Sequence, residues 1–167
     1  MAAYLSRPSN SSGSHPAIIV IHEAWGLNEQ IMGVARRYAE EGFVAIAPNL
    51  FTRHSDLLTE KNVAKAMIPM FSIAREKRED PATIRNLMES MSETDRKVMN
   101  FFFSGREAFE KIMANDLIRC TAYLQKLEFV TKERIGVTGF CLGGLAYQIS
   151  TMFPFGAAVL LDESKTP

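Results

Sequence analysis

The stretch Gly139-Phe140-Cys141-Leu142-Gly143-Gly144 decides how the rest of the chain is read. Before it, Arg134-Ile135-Gly136-Val137-Thr138 reads as a short buried strand, and after it residues 145–152 read as the start of a helix. A thiol is thereby set in a sharp strand-to-helix turn, with glycines two residues before it and two after. This is the nucleophile-elbow arrangement, with cysteine in the place more often taken by serine. Glycine suits the flanks because a tight turn leaves little room for Cβ atoms against the adjoining strand and helix. A cysteine at a helix N-terminus meets unpaired N–H groups and the positive end of the helix dipole, and both favour thiolate. The N–H of Leu142 then points at an oxygen bound over the sulfur. The plain alternative is an inert buried cysteine, the usual fate of a free thiol, and the glycine spacing argues against it here.

Outward from the elbow, the composition excludes several classes. The 167 residues suffice for a domain with its own core. Lys+Arg and Asp+Glu both number 19, so a formal net charge of zero gives no electrostatic case for nucleic acid or an anionic membrane. The apolar runs at 17–21, 43–47 and 155–161 are too short to span a bilayer. No basic region followed by an apolar core opens the sequence, so no secretory signal is expected. Two cysteines give no disulfide framework, and neither sits in a metal-ligand spacing. The expected setting is therefore the reducing cytoplasm, with no metal and no organic cofactor.

The rest of the chain supplies the frame. Ala3-Tyr4-Leu5 reads as an edge strand, and Ala17-Ile18-Ile19-Val20-Ile21 as a strand buried on both faces. His22-Glu23-Ala24-Trp25-Gly26-Leu27-Asn28 follows at its carboxyl end, where open α/β sheets build their sites. Asn28 is a helix N-cap, Ile31, Val34, Ala35, Tyr38 and Ala39 form one helical face, and Gly42 stops the helix. Phe43-Val44-Ala45-Ile46-Ala47 is the next strand, parallel to the last, with Pro48-Asn49-Leu50 as its exit. Residues 51–100 are charged, rich in methionine and broken by Pro69 and Pro81. They read as short helices, either a lid over the strand ends or an irregular core filled by methionine. A long helix over 106–127 carries the apolar stripe Phe109, Ile112, Met113, Leu117, Cys120 and Leu124, which makes Cys120 a core residue.

Three pieces in this order resemble the dienelactone hydrolase family of α/β-hydrolases. They are residues 19–28 around His22-Glu23-Ala24-Trp25-Gly26, residues 42–50, and the elbow at 139–144. The resemblance implies an α/β fold, a three-layer sandwich of a mostly parallel sheet with helices on both faces, C-terminally incomplete. It implies a single domain over 1–167 with a helical insertion at 54–105. The function implied is that of a carboxylic-ester hydrolase, opening a small-molecule ester or lactone through an acyl-cysteine. Cys141 is then the nucleophile, Glu23 the glutamate that helps control its ionisation, and Ala24 and Leu142 the donors of the oxyanion hole. The family's aspartate and histidine belong on later strand ends, and the sequence stops one strand past the elbow. His54 and His22 are the candidates to replace the missing base, since a base must reach the sulfur by hydrogen bond. An uncovered sheet edge beyond the last strand leads to an expectation of self-association.

Two readings from other classes compete. Gly139, Gly143 and Gly144 with Asp162-Glu163 further on also fit a dinucleotide-binding turn, but Cys141 would crowd the pyrophosphate. A relative that has lost catalysis and serves as an interaction module would keep the same fold.

Overall fold

Apolar runs at 17–21 and 43–47 form parallel neighbours in the middle of the sheet, and their sequences show why: each is apolar on both faces and bounded by turn residues. The computed structural model describes residues 1–9, 13–140 and 157–161, with only the backbone of Arg106, Glu107, Phe140 and 157–161 described. Among these residues the sheet has five strands, β1 (Ala3–Ser6), β2 (His15–Ile21), β3 (Val44–Pro48), β4 (Val130–Phe140) and β5 (Ala157–Leu161). Their spatial order is β1-β3-β2-β4-β5. β1 runs antiparallel to β3, and all other neighbours are parallel.

Helices cover both faces. The first, α1 (Glu29–Glu40), starts where Asn28 accepts the Ile31 N–H at 3.1 Å. It ends in a Schellman motif, with Gly42 at φ +91°, Gly42 N–H on the Ala39 carbonyl and Phe43 N–H on that of Tyr38. Ile31, Val34 and Ala35 pack against Val20, Ala45 and Ala47, with Tyr4, Ile18 and Tyr38 at the margin. On the opposite face, Leu5 and Ile46 share a groove with Cys120 and Tyr123 of α5 (Arg106–Leu124). Met113, Leu117, Cys120 and Leu124 are buried, as the stripe predicts. Burial pushes the Cys120 thiol up to about 12, with the Asp116 charge adding to it, so this cysteine is a core residue and not a nucleophile.

The strand at 134–138 proves longer than its apolar run. β4 begins at Val130, opposite His15, and the register then shifts so that Ala17 faces Ile135. The polar Thr131-Lys132-Glu133-Arg134 falls in that irregularity, so no alternating pattern marks it.

The chain divides into two compact units, 1–53 with 110–167, and 54–109. The second contains α2 (Glu60–Ser72), α3 (Pro81–Ser90) and α4 (Glu93–Phe103). Pro69 does not break α2 but lies in its last turn, so that only the short end of the helix follows it. Pro81 opens α3 behind an Asp80 cap, and Ser92 and Asp95 form a capping box for α4. Lys65 stands 3.4 Å from the buried Asp95 carboxylate, whose titration lies below the usual range, chiefly because Ser92 hydrogen-bonds to it. Met67, Met91 and Met99 are buried in this unit, filling an irregular helical core.

Asn28 carries the α1 start and closes the loop that begins at His22. Asn28→Ala should lower stability by about 1 kcal/mol, read as a lower urea midpoint. An unchanged midpoint would show that the cap contributes nothing.

Candidate active site

The strands deliver two loops to one end of the sheet. β2 and β4 are parallel neighbours, and Ile21 pairs with Gly139. Glu23 and Cys141 are each the second residue beyond that pair in sequence. Cys141, Leu142 and the helix expected after them lie outside the described residues; the β2 side is described in full.

That side is a tight turn. The Gly26 N–H donates to the Glu23 carbonyl at 3.1 Å, with Ala24 and Trp25 between them. Gly26 has φ +84°, a conformation that favours glycine, and a Cβ there would also stand tight against the Phe51 ring at 3.2 Å. Glu23 is half-buried and Ala24 is buried. Among the described residues the Ala24 N–H has no hydrogen-bond acceptor.

His22, expected as a candidate base, is fully buried and has both ring nitrogens in use. The Leu50 N–H donates to its Nε2 at 3.1 Å, and its Nδ1 lies 2.7 Å from the Glu23 carbonyl oxygen. The first bond fixes the tautomer. An N–H donor needs a lone pair on Nε2, so the proton sits on Nδ1 and is donated to Glu23. The Phe51 ring packs edge-on at 4.6 Å. Burial pushes the imidazole down from 6.5 to about 4, against the opposing effect of the bond to the Glu23 carbonyl. A ring so engaged has no lone pair free for a proton-transfer role.

The loop that offers Leu50 is itself held by hydrogen bonds. Asn49 Oδ1 accepts the Phe51 N–H at 3.0 Å, the Thr52 hydroxyl donates to the Asn49 carbonyl at 2.6 Å, and the Asn49 N–H donates to that of Ala2 at 2.9 Å. Nearby in sequence, Arg53 grips Asp116 with both guanidinium nitrogens, one at 2.7 Å, and Asp116 is buried. Sequence reading missed this pair: Asp116 falls within the apolar stripe at helical spacing from Phe109, Met113 and Cys120, and its partner is 63 residues away.

His54 belongs to the 54–109 unit. It is half-buried and lies edge-on to Phe101 at 5.0 Å. Among the described residues no group of three or more His, Cys, Asp or Glu is arranged to hold a metal ion, and no helix is long and apolar enough to cross a membrane.

Comparison with known proteins adds the family. The model of the dienelactone hydrolase family matches residues 1–161. A protein named "putative carboxymethylenebutenolidase" from Saccharolobus solfataricus is 37% identical over 159 residues, covering 95% of this chain and 60% of its own length. One of the same name from Synechocystis is 31% identical over 154 residues, covering 92% and 50%. Among solved structures, a dienelactone hydrolase-like promiscuous phosphotriesterase from metagenomic libraries superposes with a TM-score of 0.60 at 21% identity, over 95% of this chain and 52% of that one. One from Klebsiella pneumoniae, described as a putative dienelactone hydrolase, gives 0.57 at 24%, over 91% and 49%. These two show the fold. The chain spans 60% of the length of the Saccharolobus protein and 50% of that of the Synechocystis one.

The buried imidazole makes stability depend on acid. The unfolded ring takes its proton near 6.5 and the folded ring only near 4. Protons therefore favour the unfolded state, so stability is full above 6.5, falls as pH drops towards 4, and loses about 3 kcal/mol over that window. His22→Gln has no proton to take up. The difference between wild-type and variant unfolding free energies should narrow by about that amount from pH 7 to pH 4. Parallel curves would show that His22 titrates normally.

Proposed function

The chain belongs to the dienelactone hydrolase family, and we propose that it carries the acylating apparatus of a hydrolase that opens a carboxylic ester or lactone through Cys141. The observation that supports this most is the Glu23–Gly26 turn at the carboxyl end of β2. It presents a buried Ala24 whose N–H has no acceptor among the described residues, beside β4, which Cys141 follows in sequence. A buried donor without a partner is costly in a finished fold, and at a strand end it is what an oxyanion hole requires.

In the mechanism, Glu23 helps control the ionisation of the Cys141 thiol, and the thiolate attacks the carbonyl carbon. The negative charge moves to the carbonyl oxygen, where the N–H groups of Ala24 and Leu142 receive it. Collapse of that intermediate expels the alkoxide, or opens the ring if the substrate is a lactone, and leaves a thioester on Cys141. Water then attacks the thioester, the free acid departs and the thiol is restored. This second half needs a general base.

Intact-mass spectrometry with 4-nitrophenyl acetate, while 4-nitrophenolate release is followed, tests the proposal. We expect an acyl adduct that Cys141→Ala abolishes. Sustained release would put the deacylating base within these 167 residues, with His54→Ala the variant to examine next. A single persistent adduct would put the base outside them. A folded chain that takes up no acyl group would contradict the proposal.

A further inference from the structure

The Ala24 N–H cannot aim itself. It belongs to the same peptide group as the Glu23 carbonyl, and no cis peptide bond occurs among the described residues. A planar trans peptide points its N–H opposite to its C=O. Whatever holds the Glu23 oxygen therefore sets the direction of the Ala24 hydrogen. Donors that hold it are the Gly26 N–H at 3.1 Å, from within the turn, and the His22 Nδ1–H at 2.7 Å, from its base. The imidazole is fixed from the far side by the Leu50 N–H at 3.1 Å and by the Phe51 ring.

We propose that His22 is a positioning residue for acyl transfer: through the relay Leu50 N–H to Nε2 and Nδ1–H to the Glu23 carbonyl, it aims the Ala24 N–H at the developing oxyanion. The inference rests on the reading of Cys141 and Ala24 given above. It assigns His22 no contact with substrate and no proton transfer. The geometry favours this over a purely space-filling role. A buried apolar side chain would fill the same volume, yet would leave the Leu50 N–H unpaired and the turn held from within alone. The role also needs the neutral ring, since a proton on Nε2 would face the Leu50 N–H.

The two ends of the relay can be cut separately. In His22→Asn the amide nitrogen replaces Nδ1 and keeps the bond to the Glu23 carbonyl. In His22→Gln the amide oxygen replaces Nε2 and keeps the bond from Leu50, but the turn loses its outer donor. Each variant is then given two reactions at Cys141. Acylation by 4-nitrophenyl acetate develops an oxyanion: the sulfur–carbon bond forms and 4-nitrophenolate leaves. Alkylation by iodoacetamide displaces iodide at a saturated carbon and develops none.

We expect His22→Gln to slow acylation by roughly 30-fold, with alkylation within about twofold of wild type, and His22→Asn to recover most of the acylation rate. Loss in kcat or in the single-turnover acylation rate, with KM little changed, is the signature of aim rather than substrate binding. Equal slowing of both reactions in both variants would mark a role in the fold alone and overturn the inference, as would acylation untouched in His22→Gln. If wild type alkylates at Cys141 but never acylates, the hydrolase reading itself fails and takes this inference with it.

Discussion

A neutral imidazole with no exposed surface ties the carboxyl ends of two strands together at the centre of this structure. His22 leaves β2 and is held by the Leu50 N–H from the exit of β3, and it in turn holds the Glu23 carbonyl. A buried hydrogen bond contributes about 1 kcal/mol, but leaving one of its groups unpaired costs about 1–3 kcal/mol. The relay therefore constrains more than it stabilises. Once Leu50 is aimed, the ring has one usable tautomer, and the turn from Glu23 to Gly26 has one favoured orientation.

The larger fold exists in the same relation to that turn. Parallel pairing of β2 with both β3 and β4 places all three carboxyl ends on one side of the sheet. The Asn28 cap starts α1 two residues after Gly26, so the chain is pinned on both sides of the loop. Phe51 serves ring and glycine together, edge-on to His22 and close to where a Cβ on Gly26 would stand. A family match over residues 1–161 with this loop intact favours the hydrolase reading over a dinucleotide-binding one.

Where the sequence was legible, one physical rule acted alone. The apolar runs gave the central strands, the Asn28 and Gly42 signals bounded α1, and the 106–127 periodicity placed Cys120 in the core. Glu23 and Ala24 were legible as a stretch at a strand end, because β2 closes just before them; the elbow at 141–144 lies outside the described residues. What stayed hidden depended on partners far away in sequence. His22 looks like a candidate base beside Glu23, and only the fold brings Leu50, 28 residues on, to its Nε2. The first turns of β4 escaped notice because a register irregularity removes the alternation. Asp116 is a charge on a buried helix face, and only the fold brings Arg53, 63 residues away, to pair with it.

The measurement that bears most directly on this account is the protonation of the His22 ring, read by long-range 1H–15N NMR through a pH titration of the folded chain. The relay predicts a proton on Nδ1, a bare Nε2, and a ring that stays neutral well below pH 6.5, towards about 4. A proton on Nε2, or a ring that titrates near its ordinary value, would mean that neither Leu50 nor Glu23 holds it, and the account of the turn would fall.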